Sequence, residues 1–150
     1  AAADRFDMYY IDQNGEKQRP YVIHRSSIGC YERTLAMLIE KYAGAFPTWL
    51  CPTQVAVLPL SDKYGDYAES VVKALKNKGI RTTGDYSAVK IGYKIREARL
   101  NRIPYILVVG EKEAANNQVS VRSRKNDDEG AMDLNAFIDR IVTEVANKER

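Results

Sequence analysis

This sequence has few of the cysteine and histidine residues that form disulfide bonds and bind metal ions. Its 150 residues include two cysteines, Cys30 and Cys51, and a single histidine, His24. The cysteines form neither a C-x-x-C pair nor a zinc-finger spacing, so the sequence predicts reduced thiols in a cytosolic protein rather than a disulfide framework. One histidine and two separated cysteines cannot by themselves supply the protein ligands that a zinc site needs.

Long apolar runs and phosphate-binding loops are also missing. No apolar run approaches the ~20 residues that cross a bilayer, and no signal-peptide pattern opens the chain, so we expect neither a membrane protein nor a secreted one. Neither G-x-G-x-x-G nor a G-K-[S/T] loop occurs, so a nucleotide-hydrolysing domain would lack its usual phosphate cradle. The 45% hydrophobic and 29% charged residues are typical of a soluble globular chain.

Positive charge is present but concentrated in one stretch. Residues 1–53 carry six basic and six acidic groups, whereas residues 90–125 carry nine basic and three acidic groups, a balance of +6 against +3 for the whole chain. Such a concentration suits attraction to a phosphate backbone. A well-solvated protein surface would also carry these charges, so composition leaves both interpretations open.

The pattern from residue 54 onward predicts an α/β fold. Strands and helices alternate in the order βαβαββα, which indicates parallel neighbouring strands, helices on both faces and an antiparallel hairpin near the end. We expect a loop at residues 111–117, and a helix cap at Ser61 or Asp62. The predicted strands are 54–60, 80–83, 104–110 and 118–124, and the predicted helices are 62–77, 90–101 and 133–145.

The first part of the chain predicts a hairpin and a helix. Asn14-Gly15 predicts a two-residue hairpin turn between a strand at residues 6–11 and a return strand at 17–23, whereas residues 1–4 have no cue for regular structure. A helix should follow Ser26 or Ser27 and end at Gly44. Its predicted buried face consists of Leu35, Leu38, Ile39 and Tyr42. A hairpin with one helix is marginal alone, so we interpret these elements as the edge of a larger domain, joined to the rest by a proline-stiffened connector at residues 45–53.

Several ordered blocks of this sequence resemble one known family. The run Ile28-Gly29-x-x-Glu32-Arg33 before an apolar helix is similar to motif 3 of class II aminoacyl-tRNA synthetases, and the wider context resembles the threonyl-tRNA synthetases. The other blocks are Arg19-Pro20-x-x-Ile23-His24-Arg25, Gly44-Ala-Phe-Pro-Thr-Trp-Leu50, Lys90-Ile-Gly-Tyr-Lys-Ile-Arg-Glu97, Ile103-Pro-Tyr-Ile-Leu-Val-Val-Gly110 and Val119-Ser-Val-Arg-Ser-Arg-Lys125.

The resemblance implies two parts with different origins. Residues 1–53 would be the C-terminal remnant of a class II catalytic domain with its connector, contributing a β-hairpin and a helix. Residues 54–150 would be an anticodon-binding domain, a three-layer α/β/α fold with a mixed five-stranded sheet. The predicted fold class is therefore α/β.

The resemblance also implies a function. The chain would be the C-terminal part of a threonine–tRNA ligase, a cytoplasmic homodimer that uses ATP with magnesium, and zinc, to attach threonine to tRNA(Thr). Motifs 1 and 2 are absent from this sequence, so we expect the chain alone to be inactive, to hold no cofactor tightly and to bind the tRNA anticodon loop, with no role at DNA or membranes. The alternative is a non-catalytic accessory or RNA-binding protein that uses the same module.

Five residues match functional positions of the family. His24 matches a zinc ligand whose partners lie outside this chain, and Arg33 matches the motif 3 arginine that contacts ATP. Arg96, Glu113 and Arg122 match anticodon-contacting positions, where arginine suits a guanine edge and glutamate accepts hydrogen bonds from base amino groups. Taken without the family, each would also fit an ordinary packed or solvated side chain.

Two departures from the family pattern affect these expectations. Ser87-Ala88-Val89 stands where the family usually has Arg-Asn-Glu, so the asparagine that would contact a base is missing at Ala88, and we expect weaker discrimination at one anticodon base. Cys30 replaces a serine, and a thiol is a weaker hydrogen-bond donor than a hydroxyl. The first departure favours the accessory-protein alternative, whereas the presence of His24 and Arg33 favours the ligase.

Overall fold

The computed structural model describes residues 2–27 and 29–149, and the chain divides into two compact units. The first unit ends at Leu35 and the second begins at Ala36. Ile28, which belongs to the motif 3 run, lies outside the described residues. No helix in the described part of the chain has both the length and the apolar character needed to cross a membrane.

The first unit contains a short helix and a very short hairpin. Helix α1 is Ala2–Arg5, and strands β1 (Tyr10–Ile11) and β2 (Lys17–Gln18) pair antiparallel. The Asp12 carboxylate accepts hydrogen bonds from the backbone of Asn14 at 2.8 Å and of Glu16 at 2.9 Å, which fixes the turn. A turn is present around Asn14-Gly15, but the Asp12 backbone donates to the Glu16 carbonyl at 2.9 Å, so the turn comprises residues 13–15 and not the predicted two residues. The predicted strand lengths are also wrong, because pairing stops where Pro20 follows and lacks a backbone donor. The helix α1 was not expected.

Helix α2, Tyr31–Tyr42, begins later than predicted and buries none of its residues. Ser26 Oγ accepts a hydrogen bond from the Gly29 backbone at 3.0 Å, so this serine orders a turn ahead of the helix rather than capping it. Leu35 is 53% exposed and Ile39 47% exposed, so the predicted buried face is wrong for the described residues, which place no element over it. The carboxyl end of α2 is as predicted, since Gly44 has a left-handed φ of +75° and its backbone N–H donates to the carbonyl oxygen of Ile39 at 3.1 Å.

The second unit is built on a mixed five-stranded sheet, as predicted. Its order is β4-β3-β5-β6-β7, with β3 parallel to both β4 and β5, and with β5, β6 and β7 antiparallel in turn. The strands are β3 (Val55–Pro59), β4 (Thr82–Gly84), β5 (Tyr105–Val109), β6 (Gln118–Ser123) and β7 (Asp127–Asp133). The residue pattern missed β7, because this edge strand is acidic and mostly exposed and so shows no alternation of buried side chains.

Helices cover both faces of this sheet. One face packs against α3 and α6 around the fully buried Phe137, and the other packs against α4 through Ala98. Strands β3 and β5 are buried along their whole lengths because both of their faces are covered. The helices are α3 (Gly65–Asn77), α4 (Ile91–Leu100), α5 (Glu111–Asn116) and α6 (Leu134–Ala146). This is the predicted three-layer arrangement.

Helix boundaries show two corrections. A single 3-10 turn, Asp62–Tyr64, precedes α3, and neither it nor α3 has a side-chain cap, so the predicted cap at Ser61 or Asp62 is wrong. The segment predicted as a loop at residues 111–117 contains α5, whose first turn is closed by the Glu113 carboxylate accepting from the Gly110 backbone at 3.0 Å. At α6 the carboxylate of Asp133 caps the helix through two backbone amides.

The connector is held at the amino-terminal edge of the parallel strands. Arg81 donates to the carbonyl oxygens of Trp49 at 2.8 Å and Cys51 at 2.9 Å. Thr48 Oγ1 donates to the Glu144 carboxylate of α6 at 2.5 Å, and Arg124 donates to a carbonyl further back in the connector, that of Phe46. These side chains come from different elements, so residues 46–51 are part of the second unit rather than a free linker.

Candidate nucleic-acid interface

The solvent side of α4 carries a row of arginines. Ala98 is buried against the sheet, while Arg96 and Arg99, three residues apart on the helix, are exposed together on the other side. Arg102 follows just after the helix. The three arginines line a depression of about 430 Å³, together with Gly92, Ile95 and Leu100.

Arg122 lies on the same face of the sheet as α4. In the antiparallel register Ile106 of β5 is directly opposite Arg122 of β6, and directly opposed residues share a face. Ile106 belongs to the core under α4. Arg99, Arg122 and Arg124 line a second depression of about 310 Å³.

The two depressions share Arg99 and so form one continuous basic surface. We name it the arginine face, and it consists of Arg96, Arg99, Arg102, Arg122 and Arg124. The structure thus brings Arg96 and Arg122, two of the predicted anticodon-contacting residues, to neighbouring depressions. A groove lined by guanidinium groups can bind phosphates or the acceptor edges of unstacked bases.

Two of these arginines are ion-paired with the start of β7. Arg99 Nη2 donates to the Asp127 carboxylate and Arg122 Nη2 to the Asp128 carboxylate, and Arg122 Nη1 lies 3.7 Å from Asp127. The side chain of Arg122 is only 27% exposed. Its guanidinium is therefore oriented by acidic neighbours while it lines the second depression.

Glu113 lies apart from the other predicted anticodon residues. It is in the first turn of α5, which follows the carboxyl end of β5, and its carboxylate is engaged by the Gly110 backbone. The four-residue step from Ile106 to Gly110 along an extended strand is about 13 Å. The structure therefore does not bring Glu113 into the depression lined by Arg122.

The segment around Ala88 is ordered by a lysine that sequence reasoning missed. Lys94 is 4% exposed, and its Nζ donates to the carbonyl oxygen of Asp85 at 2.9 Å. Asp85 Oδ1 in turn accepts from the Ser87 backbone at 2.9 Å and from its hydroxyl at 2.6 Å. The burial of Lys94 could have been predicted from the sequence, because Lys94 lies on the same face of the helix as Ile91 and Ala98.

His24 and Arg33 are both exposed, and His24 lies outside regular structure. Cys30 donates its thiol to the Glu32 carboxylate at 2.8 Å, and this hydrogen bond lowers the pKa of Glu32. Within residues 2–27 and 29–149 no three His, Cys, Asp or Glu side chains are grouped where they could share a metal ion. The described residues do not fit a zinc site around His24.

The chain is similar to known proteins in both sequence and structure. The family described as "Anticodon binding domain" matches residues 54–144. A threonine–tRNA ligase of Clostridium botulinum (strain Eklund 17B / Type B) is 79% identical over all 150 residues, and one of Clostridium perfringens (strain SM101 / Type A) is 71% identical over 149 residues, or 99% of the chain. In each case the match spans only 23% of the relative's length.

Solved structures agree with the sequence matches. The RNA binding domain of threonyl-tRNA synthetase from Cryptosporidium parvum Iowa II is 36% identical with a TM-score of 0.74, and the match covers 95% of this chain and 36% of that one. Prolyl-tRNA synthetase from Cryptosporidium parvum, at 16% identity and a TM-score of 0.68 over 97% of this chain and 32% of that one, shares the fold alone. The resemblance to threonyl-tRNA synthetases and the predicted fold class are confirmed by these matches.

Proposed function

Since the chain belongs to the anticodon binding domain family, we propose that it is the C-terminal part of a threonine–tRNA ligase and that it binds the anticodon loop of tRNA(Thr). One observation carries this proposal: five of the seven arginines of the matched domain lie on one solvent-facing surface, the arginine face. A surface of this kind suits single-stranded loop bases, which can be splayed out and bonded on their edges.

Arg96 and Arg122 are the residues that we propose to read bases. Arginine donates two parallel hydrogen bonds to the acceptors of a guanine edge. Arg96 is exposed on α4, and Arg122 is oriented by its ion pairs on β6. We propose that Glu113 contacts a different nucleotide, because it is offset along the sheet, and that the loop around Ala88 contributes backbone shape rather than a base-specific side chain.

The division of the chain follows the same proposal. Residues 1–53 would complete the catalytic domain of the full enzyme, and residues 54–150 would form the anticodon-binding domain. In that enzyme, a cytoplasmic homodimer, Arg33 would contact ATP, which is used with magnesium, and His24 would serve as one zinc ligand. The described residues do not fit a zinc site by themselves, so we expect this chain to bind zinc weakly in equilibrium dialysis.

The ligase interpretation is favoured over an accessory RNA-binding protein. The 79% identity to a threonine–tRNA ligase extends over the whole chain and therefore includes residues 1–53. A module that only bound RNA would gain nothing from His24 or from Arg33. Joining threonine to tRNA through ATP depends on charge stabilisation around phosphate by several groups, and residues 1–53 supply a single matched arginine, so we expect no aminoacylation by this chain alone.

A binding titration with the anticodon stem-loop of tRNA(Thr) tests the proposal. We expect Arg96→Ala and Arg122→Ala each to weaken binding by roughly five- to 150-fold, the equivalent of about 1–3 kcal/mol for a base-edge contact. Lys73→Ala, which removes an exposed cation from α3 on the other face of the sheet, is the matched control and should bind like the wild type. Unchanged affinity and base preference in both arginine variants would remove the anticodon assignment.

A further inference from the structure

We propose that Asp127 and Asp128 make the arginine face selective for base edges over phosphates. This inference rests on the proposed anticodon-binding function and names the residues that set its specificity. The two carboxylates hold Arg99 and Arg122 in fixed orientations and compensate their charge, so that a neutral acceptor binds more readily than an anion.

The start of β7 is shaped to present these carboxylates. A register irregularity between Val121 and Arg122 places Asp128 opposite Arg122, and Asp127 has a left-handed φ of 58°, a conformation that Asp tolerates better than most residues. Asp127 thereby reaches across to Arg99 on α4, while Asp128 stays beside Arg122 on β6.

The Asp128 carboxylate is fixed through both of its oxygens. Oδ1 accepts from the Gly130 backbone at 3.0 Å, and Oδ2 accepts from Arg122 Nη2. A carboxylate held in this way cannot swing aside without losing the bond to the backbone. Arg122 is therefore kept in one orientation, and its remaining N–H groups are left for a ligand, since a guanidinium carries five donors.

The local charge balance disfavours phosphate. Three arginines, Arg99, Arg122 and Arg124, line the second depression, and Asp127 and Asp128 pair with two of them, which leaves a balance of +1. A phosphate oxygen at Arg122 would lie close to a carboxylate of the same sign, which costs energy. A guanine edge offers neutral acceptors and can be bonded while both ion pairs persist.

The size of the effect is bounded by exposure. Asp127 and Asp128 are 64% and 51% exposed, so solvent and salt screen their charges. We therefore expect changes of several-fold, not orders of magnitude, when either carboxylate is neutralised.

The experiment compares RNA binding by the full chain and by Asp127→Asn, Asp128→Asn and the double variant. Asparagine keeps the shape and an acceptor oxygen but removes the charge. The probes are the anticodon stem-loop of tRNA(Thr), the same stem-loop with its anticodon bases replaced, and a uridine homopolymer. Asp66→Asn, which neutralises an exposed acid on α3, is the control for total charge in each single variant, and circular dichroism verifies that each variant is folded.

We expect the double variant to bind the homopolymer roughly ten-fold more tightly at low salt. The slope of log K against log salt should be steeper by about one to two, since Arg99 and Arg122, without their carboxylate partners, then neutralise phosphates. Discrimination between the two stem-loops should fall several-fold, and each single variant should move in the same direction. If the wild type prefers the cognate stem-loop and each single variant behaves like Asp66→Asn, the inference is overturned while the proposed function stands. A wild type that shows no preference overturns both.

Discussion

The buried Nζ of Lys94 donates a hydrogen bond to the carbonyl oxygen of Asp85 at 2.9 Å. This bond joins the middle of α4, whose outer side carries Arg96, to the segment that leaves β4 and contains Ala88. Charged lysines are almost never fully buried without a partner. The contact therefore links the helix of the arginine face to the loop at the carboxyl end of the sheet, two regions that the proposed function uses together.

Replacing Lys94 with methionine should loosen this loop. The substitution keeps most of the buried volume but leaves the Asp85 carbonyl without its donor, which costs about 1–2 kcal/mol of folding free energy. We expect a lower midpoint of urea unfolding and faster hydrogen exchange at the Ser87 amide. Lys90→Met, at an exposed position just before α4, should change neither quantity. Equal midpoints and exchange rates for the two variants would contradict the assignment.

The ion pair between Glu129 and Arg140 should make stability depend on acid pH. The guanidinium donates to both carboxylate oxygens, at 2.5 and 3.3 Å, and the Glu129 side chain is 12% exposed. The hydrogen bond from Arg140 lowers the pKa of Glu129 from its usual 4.5 to about 2. Because the folded pKa lies below the unfolded one, the stabilisation is complete above pH 4.5 and is lost as the pH falls towards 2.

Glu129→Gln tests this linkage. We expect it to lower the unfolding free energy at neutral pH by roughly 2 kcal/mol, with partial exposure of Arg140 reducing the value that the pKa shift alone implies. Urea unfolding at a series of pH values should show a smaller loss of stability below pH 4.5 in the variant than in the wild type. Parallel curves would rule out Glu129 as the source of the acid sensitivity.

The Tyr105 hydroxyl should lose its proton at an unusually high pH. Burial, together with the hydrogen bond from its hydroxyl to Glu144 at 2.6 Å, raises the pKa of Tyr105 to about 12. The raised pKa means that its stabilisation is complete below the ordinary value of 10 and is lost as the pH rises towards 12. In a phenolate absorbance titration, Tyr105→Phe should remove the latest step, with Tyr93→Phe, at an exposed tyrosine, as the matched control.

A chain that begins at residue 54 should be markedly less stable than residues 36–150. The shorter chain lacks the connector carbonyls that Arg81 bonds, and it leaves the Gln54 amide without the Thr48 carbonyl that accepts from it at 3.0 Å. Gln54 is fully buried, and an unpaired buried amide costs about 1–3 kcal/mol. Comparison of urea midpoints checks this, and equal midpoints would show that the connector adds no stability.

The elements with periodic side-chain patterns were predictable, because the pattern is contained within each segment of the sequence. Val119 and Val121 alternate with polar residues, and both are buried as that alternation predicts. The face of α2 shows the limit of the same logic, since spacing identifies apolar side chains but not whether another element covers them. Leu35 is exposed in spite of its correct spacing.

The pairing of arginines with aspartates could not be predicted. Arg122 and Asp128 are close in sequence, but Arg99 and Asp127 meet only because β7 pairs with a shifted register. The acidic composition of β7 also prevented its prediction as a strand. Of the proposed site residues, Arg96, Glu113 and Arg122 followed from the family resemblance, whereas the separation of Glu113 from Arg122 was visible only in the structure.

The attachment of the connector has a mechanical consequence. Arg81 at one side of the sheet, Glu144 on α6 and Arg124 beyond β6 hold the segment at separate points. A torque applied to residues 46–51 is therefore delivered to the sheet and to α6 at several points, and the segment cannot turn against them without breaking these hydrogen bonds. Any pivot must precede Phe46, where the backbone of Ala43 and Gly44 already departs from helical geometry.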